Sequence, residues 1–143
     1  MRMPIAGLAN GRQLQHPRPI ALSIVLVVGT VAAGLAVRFV PMGLPAMIVK
    51  YGGSMTWALL FSWLISTLLP SSRSIAVGLI AVALTTAIEF FKLVRSPALD
   101  AFRLTVPGVL LLGRHFSVWD ILAYWFAVGI GVLVDRRMRR SVE

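Results

Sequence analysis

Residues 75–94 read IAVGLIAVALTTAIEFFKLV, and the fold class turns on this stretch. No charge appears until Glu89, and Lys92 follows three positions later. A helix needs ~20 mostly apolar residues to cross ~30 Å of hydrocarbon, and this run has that length. Three further runs of similar character stand around it: Ile20–Val40, about Gly53–Leu69, and Val118–Val134, with charged residues between them. The pattern predicts an all-α chain, an integral membrane four-helix bundle.

Composition agrees. The chain is 58% hydrophobic and 13% charged, with a mean hydropathy of +0.87. Soluble domains average about 45–50% apolar and about 25% charged residues. The 143 residues suit one small membrane domain. Fourteen Lys and Arg against five acids leave a net charge of +9. The basic residues sit at the ends of the apolar runs, where they set topology and meet anionic headgroups, so membrane lipids rather than nucleic acid are the expected partners. The chain has no cysteine, which excludes disulfides and thiolate chemistry. With His16 and His115 alone, a multi-histidine metal site is not available within one chain, and no metal or cofactor is expected.

Residues 1–19 read as a flexible basic arm carrying Arg2, Arg12 and Arg18. A signal peptide is the alternative reading, but the run from Ile20 exceeds an h-region of about 7–15 residues, which favours an uncleaved first helix. In that helix Gly29, Ala33 and Val37 form a stripe at spacing four, as do Ala32 and Ala36. Small residues four apart allow close helix contact in lipid. Pro41, Gly43 and Pro45 argue against regular helix over Pro41–Gly52, whose Met42, Leu44, Met47, Ile48 and Val49 are expected along the headgroup plane with Lys50 and Tyr51. Helix 2 then covers Gly53–Leu69, with Ala58, Ser62 and Ser66 on one face and Trp57 at an interface. Helix 3 runs from Ser74 to about Val94, with Ala81, Thr85 and Glu89 sharing a face. Ser96-Pro97 reads as an N-cap followed by a first-turn proline, opening a short interfacial helix over Ala98–Val106 that Pro107-Gly108 breaks. Ser117-Val118-Trp119-Asp120 fits a capping box for helix 4, in which Ala123, Ala127 and Gly131 make another small stripe. That helix is expected to end at Asp135, leaving 20–135 as the transmembrane domain and 136–143 as a basic cytoplasmic tail. Four spans place the arm, Arg73 and the tail on one side, the cytoplasmic side of a bacterial inner membrane.

The remaining polar residues gather between Thr85 and Tyr124, near the opposite face. Glu89 lies inside the end of an apolar run, where a charge is costly unless it is paired or faces a wet cavity. The plainer account is an exposed pair with Lys92 at i+3, worth tenths of a kcal/mol. For Asp120 the capping box is the plainer account; the functional one has it facing Glu89 across the mouth of the bundle, with Tyr124 on the same face. Arg103 and Arg114 suit phosphate or carboxylate recognition, or neutralise Asp100, Asp120 and Glu89. His115 is a general-base candidate of low specificity. Tyr51, Trp57, Phe90, Phe91, Phe102, Phe116 and Trp119 fit an interfacial aromatic belt. No Walker loop, dinucleotide fingerprint or nucleophile elbow is present.

Three motifs together carry a family resemblance: Ala87-Ile88-Glu89-Phe90-Phe91-Lys92-Leu93, Pro97-Ala98-Leu99-Asp100-Ala101-Phe102-Arg103, and the stretch from Leu112-Gly113-Arg114-His115 through Tyr124. With Lys50-Tyr51-Gly52-Gly53-Ser54-Met55-Thr56-Trp57-Ala58, they resemble the small bacterial membrane family called domain of unknown function 2809, over about residues 50–133. The chain is more loosely similar to VanZ-like proteins. The resemblance implies that Glu89, Asp100, Arg103, Gly113, Trp119, Asp120 and Tyr124 belong to one constellation. Lys92 stands where the family pattern is expected to have Gln, and Ser54 where Asp is expected, which makes this chain more positive there by two units.

The candidate ligand-binding set is therefore Glu89, Asp100, Arg103, Arg114, Trp119, Asp120 and Tyr124, with no catalytic residue assigned. The leading expectation is a non-enzymatic membrane protein, free or homo-oligomeric, with an outward-facing polar pocket for an amphiphilic or cell-envelope ligand. The alternatives are a small oligomeric transporter or proton pathway using Glu89, with hydroxyls at Ser62, Ser66, Thr67, Thr85 and Thr86, and an enzyme acting on lipid-linked phosphate through Arg114, His115 and Asp120.

Overall fold

Prolines, glycines and hydroxyl caps divide the described residues into six helices. The computed structural model describes residues 19–41 and 43–140, and no strand occurs among them. The basic arm before Pro19, Met42 and Glu143 lie outside the described residues. Helix α1 is Ile20–Phe39, and Val40 closes it by donating its N–H to the Ala36 carbonyl. Gly43, at φ 65°, turns the chain in a region that glycine enters freely.

Helix α2 is Ala46–Leu68, so it begins seven residues before the expected Gly53. Residues 46–52 are helical rather than an irregular interfacial segment. Pro45 stands just outside the first turn, where a missing N–H breaks no helical bond. Its carbonyl accepts from Ile48 and Val49 at 2.9 and 3.2 Å. Gly52 remains inside the helix because α1 lies against it: a Cβ there would meet Val37 at 3.4 Å. Gly34 meets Thr56 in the same way. The α1 face turned to α2 is therefore Thr30, Gly34 and Val37; Gly29 and Ala33 are exposed, contrary to the expected stripe.

Helix α3 is Ser74–Phe91. It is three residues shorter than expected, because Lys92, Leu93 and Val94 bond carbonyls three residues back instead of four. Ser96 caps α4, Pro97–Arg103, by accepting the Leu99 N–H at 3.3 Å. A further helix, α5, covers Val106–Leu111. Pro107-Gly108 opens this helix instead of ending one: Thr105 caps it by accepting the Gly108 N–H at 3.2 Å, and a Cβ on Gly108 would collide with the Phe102 carbonyl. Helix α6, Val118–Arg140, passes through the expected boundary at Asp135.

Helix α2 is central. It packs on α1, α3 and α6; α3 also packs on α6, whereas α1 touches only α2 among the described residues. The core is Ala58, Ile65, Val77, Ala81, Tyr124, Ala127 and Val128. Small residues make this possible: Ala58, Ser62 and Ser66 on α2, Ala81 and Thr85 on α3, and Ala127 and Gly131 on α6 are buried. A Cβ on Gly78 would overlap the Val132 side chain, so α3 and α6 pack closely there.

Helix α1, helix α3 and residues Val118–Arg139 of α6 are each long and apolar enough to cross a membrane. Their outward faces carry large apolar side chains, such as Ile24 and Val28 on α1, Leu79 on α3 and Leu133 on α6. Helix α2 is not among these three, and its position explains the difference. Being surrounded, it carries glycines and hydroxyls where a lipid-facing helix carries aliphatic side chains.

The end of the bundle that holds the α2–α3 turn is closed by a buried polar knot. Arg139 donates from Nε to Asp135 at 2.9 Å, and from its terminal nitrogens to the Pro70 carbonyl at 2.9 Å and the Ser66 hydroxyl at 3.1 Å. Ser74 donates to the same Asp135 oxygen at 2.6 Å. Asp135 and Arg139 therefore pin the α2–α3 turn to α6, and Arg139 belongs to the packed end of the helix.

Candidate functional site

At the other end of the bundle the polar residues converge on Glu89. This carboxylate, on the last full turn of α3, is 0% exposed. Isolation would be prohibitive there, and three donors prevent it. The Ser117 main-chain N–H donates to Oε1 at 2.8 Å, the Tyr124 hydroxyl donates to Oε2 at 3.0 Å, and the Lys92 ammonium forms an ion pair with Oε2. The pair with Lys92 has the expected i+3 spacing but is buried instead of exposed. The glycine at 113 makes the Lys92 position possible. Gly113 sits at φ 66°, and a Cβ there would come within 2.9 Å of Lys92 Cε.

The Ser117 bond changes the meaning of Asp120. A capping box needs the third helical residue to accept the N–H of the cap residue. Here Glu89 has taken that N–H, so Asp120 is released from the role. Asp120 is 5% exposed, and its Oδ1 accepts no hydrogen bond among the described residues. The nearest cation is the Lys50 ammonium at 4.0 Å, beyond hydrogen-bonding reach.

Asp120 opens into a cavity of about 910 Å³ between α1, α2, α5 and the start of α6. Its charged rim is Arg38, Lys50, Lys92 and Arg114, with exposed His115 beside them. Lys50, Ser54 and Trp57 face it from α2, at spacings of four and three. The Trp57 indole N–H is also buried without an acceptor. The remaining wall is apolar, including Val31, Leu35, Val49, Leu60 and Ile88. Ser54 and Lys92, where the resemblance leads us to expect Asp and Gln, both line this cavity. Lys92 is neutralised by Glu89, which leaves Arg38, Lys50 and Arg114 against the Asp120 carboxylate, so the cavity is electropositive.

Of the expected site residues, Arg114, Asp120 and Tyr124 line the cavity, and Glu89 lies directly behind Lys92 and Tyr124. Asp100, Arg103 and Trp119 are elsewhere. Arg103 is 2% exposed and serves the backbone: it donates to the Val94 carbonyl at 2.8 Å and the Phe91 carbonyl at 2.9 Å, closing the C-terminus of α3. Asp100 accepts from Arg103 at 3.1 Å and Arg95 at 3.4 Å near the surface. Trp119 is exposed in a shallow hollow with Met47, Tyr51 and Ala123. The cavity residues missing from the expected set are Arg38, Lys50, Ser54, Trp57 and Lys92. Lys50, Ser54 and Trp57 follow helical spacing, but an α2 drawn from Gly53 leaves Lys50 outside the helix.

The hydroxyls do not form a continuous path through the bundle. Ser62, Thr67 and Thr85 each donate to a carbonyl four residues back in their own helix, at 3.1, 2.7 and 2.8 Å. Ser66 accepts from Arg139, and Thr86 accepts from the Trp125 indole at 3.1 Å. No group of three or more His, Cys, Asp or Glu side chains suited to a metal ion occurs among the described residues.

An all-helical chain with three membrane-length apolar helices and a buried, fully bonded carboxylate at one end has the build of a small membrane protein. The family model described as "Protein of unknown function (DUF2809)" matches residues 43–130, and the chain belongs to that family. No curated protein and no solved structure matches the chain. The looser likeness to VanZ-like proteins is not borne out by these comparisons.

Proposed function

We propose that the chain is a four-helix protein of the bacterial inner membrane, with both termini cytoplasmic, and that its electropositive cavity holds an amphiphilic or cell-envelope ligand at the outer leaflet. The 23 residues of α2 give about 34 Å of helix at ~1.5 Å per residue, enough to span beside the other three. An even number of spans gathers Arg73 and the arginines at 136, 137, 139 and 140 on one side, which the positive-inside rule assigns to the cytoplasm. The cavity then faces outward.

The observation that carries the reading is the released Asp120 oxygen, buried and without a donor, in a cavity whose walls are apolar and whose rim is cationic. Concave apolar sites with a few convergent polar groups are the usual form of ligand sites. A photoactivatable fatty-acyl probe in vesicles tests it. The reading predicts crosslinks concentrated on Leu35, Val49 and Leu60 around the cavity. Labelling spread evenly over outward residues such as Leu79 and Leu133 would refute it.

A further inference from the structure

The two unpartnered atoms of the cavity constrain the ligand further. Asp120 Oδ1 needs a donor and Trp57 Nε1 needs an acceptor. An ammonium group can only donate and a carboxylate can only accept, whereas a hydroxyl does both. The rim adds a second requirement. Arg38 and Arg114 make no ion pair among the described residues, and Lys50 is left 4.0 Å from Asp120. Guanidinium and ammonium groups lining one cavity suit phosphate. The third element is the apolar wall. Its α1 side, Val31 and Leu35, belongs to a helix that packs, among the described residues, on α2 alone and has an outward face of aliphatic side chains. Acyl chains that leave the cavity along this side therefore pass directly into the bilayer.

We propose that the cavity binds a phosphodiester lipid whose head group carries hydroxyls, as in phosphatidylglycerol. The phosphate lies against Arg38, Lys50 and Arg114, and one head-group hydroxyl donates to Asp120 while accepting from Trp57. The inference rests on the ligand-binding reading above and deepens it by naming the ligand class. The hydroxyl explains why a carboxylate is tolerated on the wall of an anion site: it selects against lipids that bring charge alone. A lipid with a bare phosphate monoester has no head-group hydroxyl that can donate to Asp120 and accept from Trp57 at once.

The test is native mass spectrometry of the purified full chain in mild detergent, with dioleoyl phosphatidylglycerol, phosphatidic acid, phosphatidylethanolamine and phosphatidylcholine supplied separately. Phosphatidylglycerol is expected to remain bound as a single copy, about tenfold more tightly than the other three, the scale of a charged hydrogen bond gained or lost. Asp120→Asn and Trp57→Phe should each reduce that preference, and neither should weaken phosphatidic acid, which has no head-group hydroxyl contact to lose. Lys50→Gln and Arg114→Gln should weaken both anionic lipids together. Unfolding temperatures of the same samples identify any variant that fails to fold, and Trp57→Phe, which keeps the ring, is the variant best suited to decide. Equal retention of phosphatidylglycerol and phosphatidic acid overturns the hydroxyl assignment while leaving the amphiphile site standing. A preference for phosphatidylethanolamine overturns it in favour of an ammonium donor. Retention of no lipid by the unaltered chain overturns both readings.

Discussion

The main-chain N–H of Ser117 donates to Glu89 at 2.8 Å, so the first turn of α6 is capped by a side chain of α3. One bond thereby joins two helices, satisfies the buried carboxylate and frees Asp120. Removing the carboxylate undoes all three. Glu89→Leu leaves Lys92 buried with its charge uncompensated and the Tyr124 hydroxyl without its acceptor. Breaking one side of a buried pair costs about 3–5 kcal/mol. Thermal unfolding in detergent should show a large drop for Glu89→Leu, and Glu89→Leu with Lys92→Leu should recover most of it. A loss no greater than that of an exposed pair would show that Glu89 is not enclosed.

The contact of α3 with α6 depends on a missing side chain. Gly78→Ala places a Cβ against Val132, and overpacking of this kind costs about 1–3 kcal/mol. Adding Val132→Ala should restore stability. Gly129→Ala is the control, because nothing lies within 4 Å of its Cβ position, and it should leave the unfolding temperature unchanged or raise it.

Arg139 reaches three acceptors that only a planar fork can meet together: Asp135, the Pro70 carbonyl and the Ser66 hydroxyl. Arg139→Lys keeps the charge and loses the fork. It is expected to lower stability by about 1–3 kcal/mol, with faster amide exchange in the 70–74 turn than in α3. Unchanged exchange there would mean that the knot does not hold the turn.

Arg103 should matter for structure and not for the cavity. Arg103→Gln removes the guanidinium donors to Phe91 and Val94, a loss of about 1.5–3 kcal/mol for bonds to a charged group. Unfolding temperature should fall while lipid retention by the folded fraction stays constant. A selective loss of lipid with unchanged stability would place Arg103 in the site after all.

The sequence reveals the helices better than it reveals the cavity, and the misses have physical causes. Apolar length alone marks α1, α3 and α6, and the Ser96 cap follows a local rule that the structure obeys. Pro45 and Gly52 read as breakers of α2, but a proline before the first turn and a glycine under a neighbouring helix break nothing. That error places Lys50 outside the helix and hides its alignment with Ser54 and Trp57. Arg139 resembles part of a solvated basic tail, because its partners Ser66 and Pro70 lie far away in the chain. The capping box misleads for the same reason. Ser117 and Asp120 satisfy the local pattern, yet the acceptor that wins the N–H comes from a position 28 residues earlier. The Ala81, Thr85 and Glu89 stripe succeeds because its period alone turns all three inward.

The central claim is that α2 lines a water-reachable cavity at the Asp120 end and is sealed further along. The chain has no cysteine, so single cysteines report without background. Ser54 lines the cavity, and Ser62, two turns further along α2, is buried against the other helices. With a membrane-impermeant maleimide added from outside to intact cells, Ser54→Cys should be labelled readily and Ser62→Cys should resist. Ser54→Cys protected as fully as Ser62→Cys would contradict the account.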